Sequence, residues 1–247
     1  MIILPILFFV TAIIYSSVGF GGGSTYLALL LLWGVPYSIF PIIALTCNII
    51  VVSGNSINYI RSGNLNLRSL IPYLIGSIPF AFIGGSLNIE KDIFEIILFF
   101  VLGIAGILLL FNFRSYGNNS KAYKSLSIYF SIPIGIVLGF VSGLVGIGGG
   151  IFLSPILYLF RAAKPKNITI MVSLFILINS VLGILGQITK SIEISEIKNY
   201  IILLVAVLIG GQIGNFLNIK IFPTKILALI TSLLVIFVAL RIGYNFM

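Results

Sequence analysis

Two glycine runs carry the most chemical potential in this sequence. Gly19-Phe20-Gly21-Gly22-Gly23-Ser24 and Gly146-Ile147-Gly148-Gly149-Gly150 each interrupt a long apolar stretch. Glycine is a poor helix former, and a helix that opens leaves backbone N–H groups unpaired. At membrane depth such groups cost several kcal/mol each unless protein or a water-filled cavity satisfies them. Where the helix restarts, its first N–H groups point outward with partial positive charge, which suits an anion. Ser24 and Thr25 follow the first run and are placed to cap the new helix or to donate to a ligand, whereas Ile151 and Phe152 follow the second, with Ser154 beyond them. Two further segments carry polar residues inside apolar surroundings. The first holds Thr46, Cys47, Asn48, Ser53, Asn55, Ser56 and Asn58; the second holds Ser173, Asn179, Ser180, Gln187 and Thr189. Asn48 and Asn179 lie deepest and are the side-chain ligand candidates. Cys47 reads as a small apolar filler, and Asn58, Gln187 and Thr189 as solvated residues near the membrane interface. The alternative for the glycines is close helix packing, and for the asparagines interhelical hydrogen bonding.

Other chemistries find few residues to work with. The chain has no histidine and a single cysteine, so zinc, haem and disulfide arrangements lack their side chains. No lysine follows either glycine run and no strand precedes one, which excludes a nucleotide phosphate loop. Ser142 precedes Gly143 without a basic partner nearby in sequence, which argues against a membrane serine protease. No Asp, Glu, Lys or Arg is expected at mid-membrane, where an embedded charge would mark a cation site or a proton relay. The reading is therefore a non-enzyme with no cofactor and no metal, holding a small anion by neutral donors and backbone dipoles.

The elements that must position these residues are membrane helices. The 247 residues are 60% hydrophobic and only 8% charged, with a mean hydropathy of +1.24; soluble domains carry about 25% charged residues. Apolar runs recur at 2–18, 24–33, 38–60, 69–87, 93–113, 126–145, 151–160, 168–189, 199–218 and 226–243. Met1–Val18 lacks a basic leader and a small-residue cleavage site, so it reads as the first membrane segment. The segments 24–33 and 151–160 are too short to cross a core of about 30 Å, which needs roughly 20 helical residues. The second five segments repeat the first five. Gly19–Gly23 aligns with Gly146–Gly150, Asn48 with Asn179, and Leu87-Asn88-Ile89 with Leu217-Asn218-Ile219; Gly84 then falls on Gly214 and Gly76 on Ala206.

Lysine and arginine counts orient the chain. Arg61, Arg68, Arg114, Lys121, Lys124, Arg161, Lys164, Lys166, Lys220 and Lys225 share one side, ten in all, against four on the other, Lys91, Lys190, Lys198 and Arg241. All five acids, Glu90, Asp92, Glu95, Glu193 and Glu196, fall on or near the poorer side. The richer side is cytoplasmic and both termini are outside. Each half then has an odd number of crossings, so the halves are inverted. The expectation is an all-α polytopic membrane protein of two inverted-topology repeats, each with a glycine-broken hairpin and three full transmembrane helices, eight to ten membrane segments in total. Residues 1–113 form the N-terminal repeat, 114–125 a cytoplasmic linker and 126–247 the C-terminal repeat. Inverted repeats with broken helices are a recurring transporter architecture.

VGFGGGSTYLALLLLWGVP, followed by a polar third segment and RSGNLN, resembles the sulfite exporter TauE/SafE family, also called the toluene sulfonate uptake permease group. LVGIGGGIFLSPILYLF in the second half matches in the same way. The first run departs in having Tyr26-Leu27-Ala28 where the family commonly has a proline, which only the second half carries, as Pro155. The resemblance implies an inner (plasma) membrane, multi-pass permease for sulfur-containing anions such as sulfite, sulfoacetate or related sulfonates, and Gly21, Gly22, Gly23, Gly148, Gly149 and Gly150 as its site residues. With Ser24, Asn48 and Asn179 these make the expected substrate-binding set. Expected partners are a small anionic substrate and the lipid bilayer, with no nucleic acid, and a homodimer is an open arrangement. The competing readings are a transporter of another small solute, neutral or cationic, and an integral membrane scaffold protein without transport.

Overall fold

A computed structural model of the chain describes residues 3–61, 67–112, 124–190, 200–217 and 224–245. Most of the 114–125 linker, the loop acids Glu193 and Glu196, and the Asn218 and Lys220 assignments lie outside the described residues. Ten α-helices follow in order: α1 (Ile3–Val18), α2 (Gly23–Leu32), α3 (Phe40–Arg61), α4 (Leu67–Ser86), α5 (Lys91–Asn112), α6 (Ile128–Val145), α7 (Gly150–Leu159), α8 (Pro165–Ile188), α9 (Ile201–Leu217) and α10 (Thr224–Asn245). A 3-10 turn, Tyr37–Ile39, leads into α3. Every predicted apolar segment has its helix, and the ends differ by at most three residues. Four helices contain spans long and apolar enough to cross a membrane unaided, Tyr37–Ile57, Arg68–Ser86, Ile128–Val145 and Asn167–Ile188. Outward faces are apolar too: Ile96, Phe100, Ile104 and Ile107 of α5 are all exposed, a stripe that lipid covers and water would not tolerate.

The two short helices are built alike. Each has 10 residues, about 15 Å at the helical rise and half of a bilayer core. Each starts from a glycine in the left-handed region, Gly22 at φ 84° and Gly149 at φ 74°, a conformation that costs an L-residue with a side chain roughly 1–2 kcal/mol. Each ends in the same reverse turn. Gly34 N–H donates to Leu31 O and Val35 N–H to Leu30 O; Arg161 N–H donates to Tyr158 O and Ala162 N–H to Leu157 O. These last bonds close the terminal carbonyls of the helix. The left-handed residue in the turn is Gly34 after α2 and Arg161 after α7, at φ 64° and φ 50°.

Helix packing repeats in the same way. α4 lies on α6 and α9 on α1; α4 lies on α8 and α9 on α3; α2 meets α3 and α7 meets α8; α5 meets α7 and α10 meets α2. α3 crosses α8, and α5 crosses α10. The α4–α6 contact is the most extensive among the described residues. Gly135, Gly139 and Gly143 recur every fourth residue along α6, and a Cβ on any of them would land on a backbone carbonyl of α4, at Tyr73, Ser77 and Ala81 respectively. Removing the side chains lets the two backbones touch, which is how membrane helices gain packing without a hydrophobic drive between them. In α9, Gly210 and Gly214 meet the Phe9 and Ile13 carbonyls of α1 in the same fashion.

Candidate functional site

α3 and α8 cross at the level of the two glycine runs and bring them to one point. Asn48 of α3 is 0% exposed. Its Nδ2 donates to the Ile147 carbonyl at 3.1 Å, a bond from the first half of the chain into the second glycine run. The same amide packs against the first run: a Cβ built on Gly21 would stand 2.5 Å from Asn48 Oδ1, and one on Gly23 would stand 2.6 Å from Nδ2. A Cβ on Gly148 would stand 2.7 Å from Nδ2. At Gly21 the Asn48 amide occupies the volume a side chain would need; at Gly23 the Ile147 carbonyl and the same amide do, and Gly148 also sits in the left-handed region at φ 80°. Gly22 and Gly149 face away from it, toward the rings of Tyr15 and Phe175, and Gly150 packs on Ile176 and Val172.

The starts of α2 and α7 converge here with no side-chain cap on either N-cap glycine. In α2 the earliest bond back to the N-cap carbonyl is Tyr26 N–H to Gly22 O; in α7, Phe152 and Leu153 N–H both reach Gly149 O. The helix-capping role expected of Ser24 and Thr25 is therefore not what the structure shows. Gly22 occupies the N-cap, Ser24 is buried, and the Thr25 hydroxyl shares a 2.8 Å hydrogen bond with Tyr15 OH. The starts of both helices thus lie near the Asn48 amide, and a helix N-terminus carries partial positive charge.

Asn179 is also buried, and its Nδ2 donates to Phe175 O one turn back on its own helix. No described contact brings it to the glycine runs. Its neighbour Ser180 is brought there: its Oγ would lie 3.2 Å from a Cβ on Gly148, as Asn48 Oδ1 lies beside Gly21. The hydrogen bonds give the register. Seven residues after Asn48, Asn55 Nδ2 donates to Ser16 O at 2.7 Å; seven residues after Ser180, Gln187 Nε2 donates to Gly143 O at 2.9 Å. Ser16 and Gly143 each precede a run's first glycine by three residues. Ser180 thus lies beside the second glycine run seven residues before Gln187, as Asn48 lies beside the runs seven residues before Asn55. The two amides Asn55 and Gln187 are visible in the sequence, but the carbonyls they reach are set by helix packing.

Gln187 is a second correction. It was expected to be solvated but is 1% exposed, tying α8 to α6 and accepting from Lys190 Nζ at 3.0 Å. Burial pushes the Lys190 ammonium below the ordinary lysine range. Thr189 is exposed as expected, and the Asn58 side chain lies outside those described. Cys47 is fully buried beside Asn48. Among the described residues no Asp, Glu, Lys or Arg lies within 4 Å as a nearest neighbour of the positions a Cβ would take on the two glycine runs, and no group of three or more metal-ligating side chains occurs.

One further feature lies at the α2–α3 connection. A cleft of about 380 Å³ there is lined by Leu31, Gly34, Val35, Pro36, Tyr37, Phe40, Lys91 and Glu95. Lys91 and Glu95 pair at 3.7 Å on its rim.

The family model described as sulfite exporter TauE/SafE matches residues 4–242, nearly the whole chain. The chain belongs to the sulfite exporter TauE/SafE family. Among similar proteins, the "Probable membrane transporter protein y4hK" of Sinorhizobium fredii is 28% identical over 245 residues, covering 97% of this chain and 96% of that protein. The "Probable membrane transporter protein MJ0441" of Methanocaldococcus jannaschii is 26% identical, with 95% and 93% covered. "Probable membrane transporter protein YunE" of Bacillus subtilis is 24% identical, with 99% and 97% covered. No solved structure matches the chain. As a member of the TauE/SafE family, the protein is a multi-pass membrane transporter and not an enzyme.

Proposed function

We propose that this transporter moves a small sulfur-containing anion, such as sulfite or an organosulfonate, bound near the membrane midplane between the starts of α2 and α7. The observation that carries the reading is the position of Asn48, whose one amide touches both glycine runs and is fully buried. In this proposal Gly21 and Gly23 of the first run and Gly148 of the second line the site, while Gly22, Gly149 and Gly150 set the backbone path at the helix starts and Ser24 lies in the first turn of α2. Asn48 and Ser180 supply side-chain partners, and Asn179 backs Ser180. The absence of a charged side chain at this point favours an ion held by dipoles over a cation, which would call for a carboxylate.

The two halves are inverted repeats in this proposal, and the recurrence of the same helix pairings in both supports it. Transport then follows from one half rocking against the other around a fixed site. The bonds that join the halves, and that such a motion would strain or remake, include Asn48 to Ile147 O, Ser16 Oγ to Gly211 O at 2.7 Å and the Ser56–Ser173 hydroxyl pair at 3.3 Å. An inside-negative potential assists outward movement of an anion by about 2.3 kcal/mol per charge per 100 mV, so export needs no additional coupling ion. The test is reconstitution in liposomes with labelled sulfite, sulfate, thiosulfate and sulfoacetate, with and without a pH gradient. Saturable flux of sulfite or sulfoacetate is expected, and no flux of any of the four sinks the proposal.

A further inference from the structure

The donor and acceptor inventory of the site says more about the ligand than its charge. The backbone N–H groups at the starts of α2 and α7 can only donate. Ser180 Oγ is buried without a hydrogen-bond partner and can donate or accept. Asn48 Oδ1 can only accept, and it too is buried without a partner. The amide cannot turn this oxygen elsewhere. Its Nδ2 is held on Ile147 O, and a flipped amide would set Oδ1 against that carbonyl. The oxygen is therefore fixed over Gly21, at the first glycine run. An ion whose surface is all acceptors would meet it oxygen to oxygen. An ion that keeps one O–H would satisfy it.

We propose that the site selects a singly charged oxyanion carrying one acidic O–H, which donates to Asn48 Oδ1 while the remaining oxygens accept from the helix N-termini and Ser180. This inference rests on the anion-transport reading above and narrows its substrate class to ions such as hydrogensulfite, setting aside organosulfonates, whose sulfonate group carries no O–H near neutral pH. It also puts the proton on the cargo. The titratable side chains in the turns that meet at the site are Cys47 on α3, Tyr15 on α1 and Tyr26 on α2; α6, α7, α8 and α9 bring none into those turns. Thiols and phenols stay protonated near neutral pH, so the pH dependence of recognition belongs to the ligand.

The experiment is competition against labelled sulfite flux in proteoliposomes by methylphosphonate and methanesulfonate. Both are tetrahedral ions of similar size, and near neutral pH both exist with a single charge, but only methylphosphonate then bears an O–H. Methylphosphonate is expected to inhibit more tightly by roughly tenfold or more, because the site rejects a ligand that leaves its buried acceptor unmet. The advantage should shrink as rising pH removes the second phosphonate proton. Asn48→Ala should level the two inhibitors, whereas Ser180→Ala should weaken both and keep their ratio. Equal inhibition, tighter inhibition by methanesulfonate, or no inhibition by either overturns the inference while leaving transport standing, and the wild-type protein alone decides this if a variant does not fold. Absence of flux with any anion removes the transport reading and this inference together.

Discussion

Gly21→Ala separates the site from the scaffold. Gly21 is not in the left-handed region, so alanine there carries no backbone strain. The new methyl would stand 2.5 Å from Asn48 Oδ1 and 3.1 Å from Ile176 Cγ2, closer than the oxygen can tolerate. Asn48 has to swing away, and its 3.1 Å bond to Ile147 O is lost. A buried carbonyl and a buried amide are then left unmet, at about 1–3 kcal/mol. If that loss falls on the ligand-holding conformation, the flux-derived affinity drops by roughly 5- to 150-fold. The control is Gly34→Ala. Gly34 has φ 64° but nothing within 4 Å of an added Cβ, so it costs about 1–2 kcal/mol of strain at the end of α2 and no clash. The assay is sulfite flux against concentration in proteoliposomes, with thermal unfolding of both variants in detergent. Gly21→Ala should raise the half-saturating concentration with modest loss of stability; Gly34→Ala should lower stability and leave half-saturation unchanged. Wild-type half-saturation in Gly21→Ala, or equal damage from both, would refute the claim that the Asn48 amide is the meeting point of the two runs.

Two further expectations follow from the same geometry. Arg161 is the one non-glycine residue with positive φ among the described residues, in the turn position after α7 that Gly34 fills after α2; Arg161→Gly should therefore raise the unfolding temperature, by a gain of up to about 1 kcal/mol once the flexibility of glycine is subtracted, and a lower temperature would mean that the arginine side chain holds the turn. Gly143→Val should prevent folding into a monodisperse species on size exclusion, because its Cβ would overlap the Ala81 carbonyl, whereas Gly103→Ala, with nothing within 4 Å, should be tolerated or slightly stabilising.

Much of the fold was legible because membrane constraints act locally. A run of about 20 apolar residues has few alternatives to a helix when no water can meet its backbone, so the ten segments and the two glycine breaks were visible from composition and spacing. The shortness of α2 and α7 followed from counting residues between breaks. Gly135, Gly139 and Gly143 were equally visible as a four-residue repeat, yet their use was not, since glycine spacing does not name the facing helix. The candidate site divided in the same way. Asn48 and the glycines could be nominated because polar and flexible residues at membrane depth need a reason. Which residue of α8 lies beside Gly148 could not be read from residue type, because one step along a helix turns a side chain by about 100°. That choice depends on the register in which α8 meets α6 and α7, which the Gln187–Gly143 bond sets. The sequence by itself thus determined that this is a helical membrane protein with two paired glycine interruptions and no embedded charge, since each residue reports its own cost of transfer into lipid. Only the tertiary structure decided that both interruptions close on the one Asn48 amide and which oxygen it leaves unpartnered, because helix crossings and hydrogen-bond direction arise between segments a hundred residues apart.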